Sequence, residues 1–126
     1  SLRDRMKEWQ ALITAGHELG NHSLFHPCQR IREGRDTFEW VKPEYDLTNY
    51  SLAQIRQELI LANTLLHAVD QRSTRTYAYT CSDYIVGGRE SYLSVVQDIF
   101  PAARGEGPIP HSMEEIDLHR IPSWVS

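Results

Sequence analysis

With 126 residues, 40% of them hydrophobic, and a formal net charge of −4, the chain holds one domain or less and enough apolar content for a core. The acidic balance argues against nonspecific nucleic-acid binding, and no apolar run reaches membrane-spanning length. The only cysteines, Cys28 and Cys81, form no Cys-x-x-Cys pair, which argues against a zinc knuckle.

Leu2, Met6, Trp9, Leu12 and Ile13 recur at helical spacing and predict an amphipathic helix over 2–15, ended by Gly16. Residues 17–22 read as a short strand leading into a loop. Residues 27–50 carry Pro, Gly, Asp and Asn without a steady period, a loop long enough to be functional or mobile. Ser51-Leu52-Ala53-Gln54 is a capping box that opens a second helix. The apolar stripe of that helix is Leu52, Ile55, Leu59, Ala62, Leu66 and Val69. Residues 76–79 alternate as a strand does, and Gly87-Gly88 marks a turn. A third helix is expected over 90–99, with Tyr92, Val95, Val96 and Ile99 inward. Short strands are expected at 102–104 and 118–121, separated by a loop over 105–110.

This alternation implies an α/β fold with a mostly parallel sheet covered by helices. Sites in such folds form beyond the carboxyl ends of the strands. His22, His26, Cys81 and Arg104 fall at or just after predicted strand ends, so one rim should collect them.

The richest segment is Gly16-His17-Glu18-Leu19-Gly20-Asn21-His22-Ser23-Leu24-Phe25-His26-Pro27. Imidazole is a common metal ligand, and a His-x-x-x-His spacing can bring two rings to one centre. On spacing alone, two unrelated polar histidines are the more ordinary reading. The wording of the whole segment, however, strongly resembles the second motif of the polysaccharide deacetylases, carbohydrate esterase family 4. Arg75-Thr76-Tyr77-Ala78-Tyr79-Thr80-Cys81-Ser82 resembles the family's third motif in its Tyr-Pro-Cys-Gly form, with Thr80 and Ser82 replacing the proline and glycine. Residues 99–105 are similar to a family strand.

The resemblance implies a partial (β/α) barrel that this chain does not close, since a full barrel takes about 250 residues. It implies a divalent metal, zinc in the usual case, held by His22 and His26. It implies hydrolysis of an N-acetyl group on a carbohydrate substrate, with the backbone N–H of Cys81 as oxyanion donor. Ala78 stands where many members carry an arginine, and Arg104 is the substitute candidate; a surface ion pair is its ordinary alternative. The family's paired aspartates are absent, and its late Leu-x-His motif would follow Trp124. Asp117-Leu118-His119 matches that motif only superficially. The chain therefore reads as a central fragment of a deacetylase domain, expected to be inactive alone. The compartment stays open, with secretion or cell-envelope association of the parent as the candidate. Unpaired sheet edges predict a homo-oligomer or a missing complementary segment.

The alternative is a noncatalytic module that binds metal or sugar or only self-associates. Trp40 and Tyr45, with Phe38 and Tyr50, offer flat faces for sugar stacking, although pinning the long loop is the favoured reading. His17 reads as structural, His67 as a helix-surface residue, and His111 and His119 as weak site candidates. Cys28 and Cys81 are expected close together near the rim, and free, space-filling thiols are favoured over a disulfide.

Overall fold

Ser51 starts the longest element by accepting a hydrogen bond from Gln54 N at 3.1 Å, which satisfies a free donor of the first turn. The helix it caps, α2 (Leu52–Asp70), buries Ile55, Leu59, Ala62 and Val69 from the predicted stripe. It ends at Gln71 in the left-handed region, φ 60°. The computed structural model describes residues 3–107 and 110–123. Leu2 and Trp124, both used in the sequence argument, lie outside the described residues.

The chain is a mixed α/β fold whose main sheet is parallel. Its strands are β1 (Tyr77–Ala78), β4 (Ala103–Glu106) and β5 (Ile121–Ser123), paired in the order β1-β4-β5. Tyr77, Tyr79 and Ala103 join Ile55 and Leu59 of α2 in the core, with Val95 and Val96 of α3 (Leu93–Ile99). Along β4, burial alternates: Ala103 and Gly105 face inward while Arg104 and Glu106 are exposed. The sheet is thus covered on one face, and among the described residues it does not close on itself.

Several boundaries differ from expectation. The strand over 17–22 reduces to a single parallel bridge, Asn21 to Tyr77, because the chain turns away at Ser23. Glu90 and Ser91 do not begin a helix. They form β3 (Glu90–Ser91), which pairs antiparallel with β2 (Ile85–Val86). Gly87 and Gly88 both take positive φ, 62° and 76°, at the centre of a turn closed by Arg89 N donating to Val86 O at 3.2 Å. The last strand begins at Ile121, and Pro122 is tolerated there because β5 pairs only with β4 among the described residues.

The first helix, α1 (Met6–Thr14), buries no residue. It lies against α2, and Trp9 and Leu12 of its apolar stripe stay exposed, as do Ile60, Leu61 and Leu65 of α2. The long loop is ordered rather than structureless. It contains short 3-10 turns at Pro43–Tyr45 and Leu47–Asn49 and buries Cys28, Val41, Leu47 and Tyr50. No helix among the described residues is long and apolar enough to cross a membrane.

Candidate functional site

Asn21 fixes the start of the histidine segment. Its backbone N donates to Thr76 O at 2.9 Å, and its O accepts from Ala78 N at 2.9 Å. Its buried side chain donates to Leu59 O at 3.0 Å and to Asn63 Oδ1 at 2.7 Å, and accepts from Ser23 N at 2.8 Å. Every polar group of this residue is engaged, so the turn that follows leaves the sheet at a fixed angle.

The turn itself rests on Glu58. This carboxylate lies in the buried face of α2, where Glu58 Oε2 accepts from Leu24 N at 3.2 Å and Phe25 N at 3.3 Å. Glu58 Oε1 accepts from Tyr50 Oη at 2.7 Å. Burial, and then the neighbouring carboxylate, push the Tyr50 phenol well up, which keeps it a donor. The sequence reading passed over Glu58. A charged residue between Ile55 and Leu59, on the apolar side of the helix, was the signal that could have found it.

His22 and His26 project from opposite ends of this turn. Their rings meet edge to face with centroids 4.9 Å apart. His22 Nδ1 lies 2.8 Å from Ala78 O, the carbonyl at the end of β1. That contact makes Nδ1 the protonated nitrogen and frees Nε2 as a potential metal ligand. Burial lowers the His22 pKa, the Ala78 carbonyl opposes this, and the charges of His26 and Arg104 lower it further. The ring is thereby biased toward the neutral form that a metal needs. His26 takes a left-handed φ of 53°, and its N donates to Ser23 Oγ at 3.0 Å.

The sequence expectation of free thiols is overturned: Cys28 and Cys81 form a disulfide with Cα atoms 5.7 Å apart. Proximity was anticipated, whereas bonding depends on how the two turns meet. Cys81 and Ser82 both take left-handed φ, 53° and 57°, which turns the chain sharply after β1 toward Cys28. Of the five described non-glycine residues with positive φ, Ser23, His26, Cys81 and Ser82 all lie in these two turns. Backbone strain gathers at functional sites, and here it follows the histidine segment.

A second anchor, Asp83, was not legible in the sequence at all. It is 1% exposed. Its oxygens accept from Gln29 N at 2.7 Å, from Arg32 Nη1 at 2.7 Å and from Arg35 Nη1 and Nη2 at 3.0 and 3.2 Å. The long loop is thus clamped to the segment after β1. Thr80 Oγ1 adds a bond to Pro27 O.

Arg104 lies on the exposed face of β4, directly opposite Ala78 in register. It lines a cavity of about 360 Å³ with His22, Asn21 and Thr76. It makes no ion pair among the described residues, against the ordinary alternative of a surface salt bridge.

The loop aromatics divide. Tyr50 is buried and pinned. Tyr45 is half-buried and stacks on Phe25 at 5.4 Å. Trp40 is 59% exposed, stacks on Phe38 at 5.4 Å, and lies 6.2 Å from the His26 ring. It is the aromatic whose face remains available beside the histidines.

The remaining histidines stand apart from this cluster in their bonding. His119 Nε2 contacts Phe100 O at 2.9 Å, and His67 Nδ1 contacts Arg72 O at 3.0 Å, both structural roles. His17 and His111 are exposed. Among the described residues no carboxylate joins His22 and His26 in a cluster of mutually adjacent ligand atoms. The donors that do cluster are His26, Cys28 and Cys81, and the disulfide occupies both sulfurs.

No family model, no curated protein and no solved structure matches this chain. The functional reading therefore rests on the site's own chemistry and on the motif wording.

Proposed function

We propose that the chain belongs to a divalent-metal-dependent hydrolase that removes N-acetyl groups from a saccharide, on a partial (β/α) barrel of the polysaccharide deacetylase type. The observation that carries this reading is the pair His22 and His26, with rings 4.9 Å apart and Nδ1 of His22 committed to Ala78 O. Two imidazoles in that arrangement fit two positions of a zinc site; among the described residues a third protein ligand has no candidate beside them. When bound, such an ion polarises an amide carbonyl and acidifies a water.

The chain's own residues then have separable tasks. Glu58 and Asn21 hold the turn that carries the ligands. The Cys81 N–H, in the sharp turn after β1, is the proposed donor to a developing oxyanion. Arg104, without an ion pair among the described residues and beside His22, is suited to an anionic group of the substrate or to steadying a carboxylate base. Trp40 offers a stacking face for a sugar ring. The disulfide supports an oxidising compartment, in line with a secreted or envelope-associated parent. The exposed Trp9, Leu12, Leu61 and Leu65 are the apolar surface that supports self-association.

A second reading is favoured by one specific observation: among the described residues no carboxylate lies beside the two histidines. It makes the chain a metal- or carbohydrate-binding module without hydrolytic activity of its own. Calorimetric zinc titration of the oxidised chain tests what both readings share. Binding is expected, and His22→Ala and His26→Ala should each abolish it; binding unchanged in both variants overturns the site. Acetate release from chito-oligosaccharides separates the readings. A base-less site is expected to be slower by about 10²–10⁴-fold.

A further inference from the structure

The disulfide sits inside a ligand set. A ring nitrogen of His26 and the two sulfurs of Cys28 and Cys81 all lie within 4.8 Å of one another, and His26 Nδ1 is 3.6 Å from Cys28 Sγ. Joined sulfurs are poor ligands, because the charge of a thiolate is what binds a metal. Two thiolates and an imidazole are a different donor set. They make up the Cys₂His combination found on zinc with one position left open, and soft sulfur selects zinc over hard cations.

Reduction preserves this set only if something other than the disulfide holds the two turns together. Thr80 Oγ1 donates to Pro27 O, one residue before Cys28 and one before Cys81. Gln29 N donates to Asp83 Oδ2 at 2.7 Å, just beyond both cysteines. Arg35 crosses the same gap, donating to Gln29 O at 2.5 Å and to Cys81 O at 3.4 Å. The backbone of Cys28 is itself fixed, donating to Tyr45 O at 3.2 Å and accepting from Leu47 N at 3.0 Å. None of these bonds passes through sulfur. Two thiolates on one zinc sit about 3.8 Å apart, given a Zn–S bond of about 2.3 Å. Rotation about the Cα–Cβ bonds opens the sulfurs to that spacing while the Cα atoms stay near 5.7 Å.

We propose that His26, Cys28 and Cys81 form a reduction-gated zinc site. Entry into a reducing compartment brings a thiol reductant of the glutathione class, which supplies the electrons. Two such thiols join as their own disulfide and give up two electrons and two protons, and the Cys28–Cys81 bond takes them up to become two thiols. Zinc then displaces both thiol protons to solvent and gains two Zn–S bonds and one Zn–N bond. The fourth position stays open to water. His26 cannot face two centres at once, so reduction draws the ion away from the His22–His26 pair. The site does not depend on amide hydrolysis.

Cobalt(II) and zinc titrations of the full chain, oxidised and reduced with a phosphine, test this. The phosphine takes oxygen from water and avoids a thiol that would itself chelate the metal. The reduced chain is expected to show a sulfur-to-cobalt charge-transfer band, to release about two protons per zinc, and to bind zinc on the order of 100-fold tighter than the oxidised chain. The Cys28→Ser/Cys81→Ser chain should lack the band. His26→Ala keeps both cysteines and the disulfide, so it tests the site even if the serine variant folds poorly; it should lose the added affinity. No band in the reduced chain, or a band and an affinity untouched by His26→Ala, overturns the proposal. Failure of the oxidised chain to bind zinc would bear on the His22–His26 reading alone.

Discussion

At the N-terminal end of β1, Arg75 is gripped by Asp70 at 2.7 and 3.0 Å, with further bonds to Leu19 O and Arg72 O. At the C-terminal end, Asp83 gathers Arg32, Arg35 and Gln29 N from a loop about fifty residues away in sequence. Both ends bury charge, and both satisfy it with hydrogen bonds. The first pairs side chains five residues apart, 2% and 1% exposed, and adds one bond across 56 residues to Leu19 O. It closes the bottom of the sheet and presents nothing. The second is long-range and holds two strained turns side by side, leaving His22, His26 and Trp40 exposed at the rim. The difference shows how one kind of interaction can seal one end of a strand and display functional groups at the other.

The largest effect is expected from Asp83→Ala. It removes the carboxylate shared by Arg32 and Arg35, which keep Glu106 and the carbonyls of Gln29 and Cys81 respectively; Arg35 Nε already lacks a partner among the described residues. Removing one partner of a buried pair costs about 3–5 kcal/mol. Urea unfolding with the disulfide intact reads this directly. A variant as stable as the parent would mean that the disulfide alone orders the rim.

A smaller loss is expected at the other end. Asp70→Asn keeps the shape and weakens the charge-assisted bonds, for about 1.5–3 kcal/mol at neutral pH. The Arg75 guanidinium holds the Asp70 carboxyl below its ordinary value of 3.8. A carboxylate depressed in the folded state stabilises fully above its unfolded value, and that stability is lost as pH falls through the folded value. Stability curves of parent and variant should therefore run parallel at neutral pH and converge below about pH 4. A gap that does not change with pH would show that the bond, and not the charge, matters there.

Trp40→Ala should scarcely alter stability, within about 0.5 kcal/mol, since the ring is mostly exposed. It should weaken binding of an N-acetylated oligosaccharide, measured by quenching of fluorescence or by calorimetry. Unchanged sugar binding would return Trp40 to a role in pinning the loop, as the sequence reading favoured.

Periodicity made α2 legible, because a capped helix with an apolar stripe depends on neighbours three and four residues away. The parallel sheet and the placing of Cys81 after β1 were also readable, since alternation of elements constrains their connection, whereas the strand expected before His22 is a single bridge at Asn21. The hairpin at 85–91 was half readable: its glycines marked a turn, but two-residue strands leave no periodic signal.

What the sequence by itself determined was the local chemistry: two histidines four positions apart, two cysteines and one capped helix. Only the tertiary structure decided that Glu58 carries the histidine turn, that Asp83 clamps the loop, and that Cys28 and Cys81 are bonded. It also left α1 without a buried side chain despite its helical stripe. The physical reason is range. Helix and turn signals act over a few residues, whereas these contacts join segments 33 to 54 residues apart, which meet only once the sheet has formed.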